Sequence, residues 1–144
     1  MFRLSKNTVL TPQMIMKYIE KSGEEERRMK KLLDYYKGKH DILKRAFEDA
    51  SKPNNKIVNP YAGYITTMMT GYFMGEPVKY SSADEEFLDV VKASFNYNDE
   101  ASENAELAKN ASIFGVAYEL MYLDDDKQIR FKAIPSLNCI PIVE

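Results

Sequence analysis

Residues 105–123 read AELAKNASIFGVAYELMYL, and the apolar rhythm changes inside this stretch. Up to Phe114 the small and apolar residues Ala101, Ala105, Leu107, Ala108, Ala111 and Phe114 recur about every fourth position, the spacing of a helix face. After Gly115 the repeat is two: Val116, Tyr118, Leu120 and Tyr122 alternate with Ala117, Glu119, Met121 and Leu123, the pattern of a strand. Gly115 sits at the switch, where the backbone needs freedom to leave the helix. Asp124-Asp125-Asp126-Lys127 supplies a turn, after which Ile129, Phe131 and Ala133 alternate with Arg130 and Lys132, so the chain returns as the second arm of a β-hairpin. The fold class that follows is α+β, mostly helical, with a small antiparallel hairpin in the C-terminal third.

Upstream, helix signals come in series. Residues 1–10 show no sustained period. Thr11-Pro12 is a cap followed by a first-turn proline, and Ile15, Tyr18 and Ile19 share a face. Ser22-Gly23 interrupts. Ser22 with Glu25 makes a capping box, so a second helix is expected from there, striped by Met29, Leu32, Leu33 and Tyr36 and stopped by Gly38. Glu24–Arg28 and Glu26–Lys30 have the favourable spacing for ion pairs. Residues 39–56 are basic and irregular, with a short helical turn expected around residues 42–47 and a loop at Lys52-Pro53-Asn54-Asn55. Asn59-Pro60 repeats the cap-plus-proline start. Tyr61, Ile65, Met68, Met69, Tyr72 and Phe73 follow at i, i+4, i+7, i+8, i+11 and i+12. This is the strongest apolar stripe in the chain and predicts the core helix, ended by Gly75. Val78-Lys79-Tyr80 reads as a short strand. Ser82 and Glu85 form another capping box, opening a helix with Phe87, Leu88, Val91 and Phe95 inward. Asn96-Tyr97-Asn98 breaks it, and Asp99-Glu100 places negative charge at the start of the Ala-rich helix, where the dipole favours it. The expected organisation is an N-terminal arm and short helix over residues 1–22, then an α+β unit over residues 23–144. Ile140, Ile142 and Val143 crowd the end of the chain, an unusual way for a domain to finish. They suggest the front part of a longer protein.

The 144 residues are 44% hydrophobic and 29% charged, with six Gly and six Pro, a globular composition of single-domain size. A chain of this length is expected to bury roughly two-thirds of its unfolded surface. One cysteine, Cys139, excludes an internal disulfide framework, and one histidine, His40, excludes a histidine-rich metal site. A reducing interior compartment is the expectation. There is no apolar run of membrane-spanning length and no secretory signal at the N-terminus. The net charge of −2 conceals a division. Residues 1–60 hold 14 Lys and Arg against 8 Asp and Glu, and residues 61–144 hold 6 against 14, so the halves carry +6 and −8. Such halves are either two solvated surfaces or the complementary faces of a head-to-tail oligomer, whose association weakens with salt.

No catalytic constellation emerges. His40 lies in a Lys-rich segment with no nucleophile motif around it. Asp124-Asp125-Asp126 lacks the alternating ligands, glycine and distal glutamate of a calcium loop, and turn formation explains it. Glu85, Glu86 and Asp89, and Glu100, Glu103 and Glu106, are helix-face carboxylates with no histidine beside them. Gly71 and Gly75 mark close packing or helix termination, since no phosphate-loop lysine accompanies them. Lys30, Lys31, Lys37, Lys39, Lys44 and Arg45 could contact nucleic-acid phosphates without reading sequence. No catalytic, cofactor-binding or metal-ligating residue is therefore expected.

Four segments in order carry a resemblance. They are Tyr35-Tyr36-Lys37-Gly38-Lys39-His40, Asn54-Asn55-Lys56-Ile57-Val58-Asn59-Pro60-Tyr61, Gly71-Tyr72-Phe73-Met74-Gly75-Glu76-Pro77-Val78, and Ala111-Ser112-Ile113-Phe114-Gly115-Val116-Ala117-Tyr118-Glu119. The chain resembles the tailed-phage portal protein family of the SPP1 type over about residues 25–140. The resemblance implies a structural, non-enzymatic subunit of a phage or prophage, and within it the peripheral wing region before the stem. It implies a homo-oligomeric ring, usually of twelve subunits, at one vertex of the capsid, assembled in the host cytoplasm. Double-stranded DNA passes through such a ring without sequence-specific contact during packaging and ejection. Terminase, scaffold and head-completion proteins dock on it, and no membrane or cofactor is involved. Without its stem, the chain alone is expected not to close the ring. The alternative is a stand-alone cytoplasmic adaptor that reuses the fold and binds a protein partner through its acidic helices, which a stop codon after Glu144 would favour.

Overall fold

The computed structural model describes residues 2–6, 8–49 and 51–143, so Met1, Asn7, Ala50 and Glu144 lie outside the described residues. The architecture is α+β, with four α-helices and a small antiparallel sheet toward the C-terminus. A two-residue strand β1 (Phe2–Arg3) precedes helix α1 (Pro12–Tyr36). Helices α2 (Tyr61–Met74), α3 (Glu85–Tyr97) and α4 (Glu100–Phe114) follow. Strands β2 (Tyr118–Leu123) and β3 (Ile129–Ile134) form the hairpin, with Tyr118 opposite Ile134 and Leu123 opposite Ile129. Strand β4 (Ile142–Val143) pairs in parallel with β1. The apolar end of the chain therefore meets its first residues, which sequence pattern alone left unstructured.

Helix α1 departs from expectation. It runs unbroken through Ser22-Gly23 for 25 residues. The Ser22 hydroxyl donates to the Ile19 carbonyl at 2.8 Å, so it does not cap a new helix. Glu25 is held by Arg28 instead of reaching back to Ser22, and Glu26 pairs with Lys30. A glycine inside a helix costs only about 1 kcal/mol, which the ordered pairs and the buried Met29 farther along offset. The start is as expected: Thr11 Oγ1 accepts from Met14 N, with Pro12 in the first turn. So is the stop. Gly38 has φ +74°, its N–H donates to Tyr35 O, and Lys39 N–H donates to Asp34 O, the paired bonds of a Schellman end. A 3₁₀ turn at Asp41–Lys44 stands where a short helical turn was expected.

Four further differences are local. Residues 78–80 form no strand; Tyr80 instead packs its ring on Phe95 at 4.8 Å and donates its hydroxyl to Glu100. Helix α3 is capped by Asp84, whose carboxylate accepts from Phe87 N at 2.9 Å, and Ser82 accepts from Asp84 N one step earlier. Leu88, Val91 and Phe95 are half-buried on α3, whereas Phe87 faces solvent. Pro60, not Asn59, precedes α2, with no side-chain cap.

The core is small. Met29 of α1 and Ile113 and Phe114 of α4 are its buried apolar members, with Leu33, Tyr36, Val116 and Leu137 against them. Ser136 is wholly buried and donates to the Val116 carbonyl at 2.8 Å, tying the segment after β3 to the segment before β2. The chain exposes 11295 Å², whereas a compact monomer of 16.6 kDa exposes about 7,600 Å². The expected single-domain burial is not reached within one chain.

Candidate functional site

The resembling segments come together as structural joints. The Gly38 end of α1 lies against Val58 and Pro60: a Cβ on Gly38 would stand 3.7 Å from Val58 Cγ1. The Asn54-Asn55 pair is held by Arg45, whose guanidinium donates to Asn54 Oδ1 at 3.2 Å and to the Asn55 carbonyl at 2.9 Å. The Asn54 amide returns a bond to the Arg45 carbonyl. These bonds tie Arg45 to the Asn54-Asn55 pair a few residues ahead of α2.

Helix α2 then approaches α1 so closely that a Cβ on Gly63 would sit 2.9 Å from the Tyr36 carbonyl oxygen. One turn on, Thr66 is 5% exposed and its hydroxyl accepts from Ser112 of α4 at 3.4 Å. Gly63, Thr66 and Thr70 thus face inward on α2, together with the half-buried Ala62 and Met74. The stripe expected to form the core faces outward. Met69 is 55% exposed, Phe73 70% and Tyr72 90%, with Tyr61, Ile65 and Met68 equally open. The cause is steric: small residues allow α2 to approach α1 and α4, and the bulky face has nowhere inside to go.

A second set of residues supports the hairpin. Asn98, buried at the α3–α4 corner, donates to the Ile129 carbonyl at 2.9 Å and accepts from Phe131 N. Glu103 accepts from Ala133 N at 2.6 Å and from Lys132. Side chains of the helices thus occupy the outer edge of β3. Glu100 holds Tyr80 and Asn104. Two of the helix-face carboxylates therefore brace the fold.

The remaining candidates are placed as follows. His40 stacks on Tyr35 with ring centroids 4.7 Å apart, and its Nε2 lies 3.3 Å from the Tyr35 carbonyl. Asp124 accepts from Asp126 N and Gln128 N, which makes it a turn former. Among the described residues no three of His, Cys, Asp and Glu converge as a metal site would need. Lys31 and Lys44 both pair with Asp41, at 3.2 and 3.7 Å, and Arg45 is committed to the loop. The basic cluster is therefore partly neutralised within the chain. Lys31 and the Tyr35 hydroxyl hold the Asp41 carboxyl below the usual aspartate range.

A cleft of about 750 Å³ lies between α1, the end of α4 and the last residues, lined by Ile19, Arg28, Phe114, Tyr118, Leu137 and Cys139 among others. Burial pushes both the Cys139 thiol and the Tyr118 phenol upward, so neither is activated as a nucleophile at neutral pH. Arg28 is spent on Glu25 and on the Phe114 carbonyl at 3.3 Å, which ties α1 to the end of α4.

Side-chain joints and a broad apolar outer face are the features of a scaffold component. A family model described as phage portal protein, SPP1 Gp6-like, matches residues 15–144. The chain belongs to that family and is a phage portal component. None of the curated proteins matches it. Among the described residues no helix is long and apolar enough to cross a membrane.

Proposed function

We propose that residues 23–144 form the wing part of a portal subunit, with residues 1–22 as its leading arm and the first turns of α1. Copies of the subunit, twelve in the usual ring, stand at one vertex of an icosahedral capsid. Double-stranded DNA passes through the ring during packaging and again during ejection. Terminase, scaffold and head-completion proteins dock on it, and the subunit's contribution is shape and contact surface, with bond-breaking left to the terminase. The observation that supports this most is the run of the family match along residues 15–144. Two of the resembling segments act as joints, at Gly38 and at Asn54, as a rigid structural wedge needs.

Electron microscopy of the whole subunit, this chain together with its stem, tests the reading. A ring of high rotational symmetry with a central channel is the expected result. A whole subunit that stays strictly monomeric, or that turns over nucleotides or esters, would overturn it.

A further inference from the structure

The cleft between α1, the end of α4 and the last residues has walls of unequal strength. Its floor is locked. Met29 and Phe114 are buried there, Ser136 is wholly buried and bonded to the Val116 carbonyl, and Arg28 reaches the Phe114 carbonyl. The wall at Phe2 belongs to β1 and is held by far less. Phe2 N–H donates to the Pro141 carbonyl at 3.0 Å, and Leu4 N–H to the Val143 carbonyl at 2.8 Å. The Phe2 ring leans on Tyr18 of α1 with centroids 4.8 Å apart. Among the described residues no other strand joins β1 and β4, and a two-stranded pair by itself is marginal in water. Past β1, Ser5, Lys6 and residues 8–13 are exposed and anchor nothing.

We propose that β1 is a strap over this cleft, and that it opens by itself while the helices and the hairpin stay folded. Phe2 and Leu4 are half-buried and Arg3 is exposed, so two backbone bonds and one ring contact hold the strand. A segment with so few bonds and so little buried surface opens at a much lower cost than a core. Closed, Phe2 shares the cleft wall with Cys139, Ile140 and Pro141, and β4 is pinned beside the start of the chain. Open, the ring leaves the cleft, the Pro141 and Val143 carbonyls turn to water, and Cys139 is uncovered. The segment after β3 does not follow, because Ser136 keeps it fastened to the Val116 carbonyl. The strap stands on bonds within this one chain and does not depend on the ring.

Hydrogen exchange and thiol labelling of the 144-residue chain test it. The Leu4 amide is expected to show at least about a hundredfold less protection than the helical amides of Met29 and Phe114. Cys139 is the one thiol in the chain and lines the cleft, so its alkylation by iodoacetamide reports on opening. Phe2→Ala removes the ring contact and Leu4→Pro removes the donor to Val143. Each is expected to speed Cys139 alkylation about tenfold, the worth of roughly one net hydrogen bond, with helical circular dichroism unchanged. Phe2→Ala is also expected to lower Leu4 protection while Met29 and Phe114 keep theirs. Val9→Ala, at an exposed side chain, should change neither rate. A Leu4 amide as protected as Met29 and Phe114 would overturn the strap, because β1 would then unfold only with the whole. Alkylation indifferent to Phe2→Ala and Leu4→Pro would overturn it too, as would loss of helical signal in Phe2→Ala.

Discussion

Asn98 takes the place of a missing strand. One carboxamide satisfies both the Ile129 carbonyl and the Phe131 N–H on the outer edge of β3, and also donates to the Ser94 carbonyl of its own helix. Asn98→Ala leaves these groups unpaired in a buried corner and is expected to cost about 1–3 kcal/mol, read as a lower urea midpoint. The sequence marked Asn98 only as a helix breaker, because which backbone groups need a partner depends on a hairpin more than thirty residues away. Gly38 was legible: its role is local, set by the end of its own helix. Asp41 gives a pH signature. Lys31, then the Tyr35 hydroxyl, lower its folded pKa below the ordinary 3.8. A lowered carboxyl contributes stability that is full above the unfolded aspartate value and disappears as pH falls through the folded one. Lys31→Met is therefore expected to raise the Asp41 pKa toward its ordinary value, as followed by carboxyl NMR, and to flatten the acid limb of the stability curve.

At the scale of elements, the four-to-two change at Gly115 revealed helix and hairpin correctly, and the stripe in residues 61–73 revealed that α2 is a helix. It did not reveal which way α2 points. Periodicity locates the apolar side of a helix; burial depends on whether a partner has room for it. The overlooked signal was the opposite side, where Gly63, Thr66 and Thr70 repeat at helical spacing and allow close approach. The break expected at Ser22-Gly23 failed for a related reason, since a glycine's helix penalty is small beside the packing of the helix around it. A pair of substitutions separates these cases. Gly23 has nothing within 4 Å of an added Cβ, so Gly23→Ala is expected to stabilise by about 0.5–1 kcal/mol. At Gly63 the same change meets the Tyr36 carbonyl and is expected to destabilise by about 1–3 kcal/mol. Thermal melts of the two variants moving in the same direction would contradict this account of α1 and α2.

For the whole molecule, surface and charge are larger facts than the core. Among the described residues three buried apolar side chains anchor the fold, and many large apolar side chains stand exposed around them. The charge division was visible in the sequence; that its ion pairs stay within each half required the structure. Opposite halves attract over about one Debye length, so the association rate is expected to fall as salt rises in stopped-flow light scattering. An association rate that does not change with salt would leave the two halves as separately solvated surfaces. The most direct measurement is a single-particle reconstruction of the whole portal subunit, this chain together with its stem. This account predicts a closed ring around a channel, with residues 23–144 in its periphery. A whole subunit that remains in single copies, or a ring with residues 23–144 lining its channel, would contradict the account.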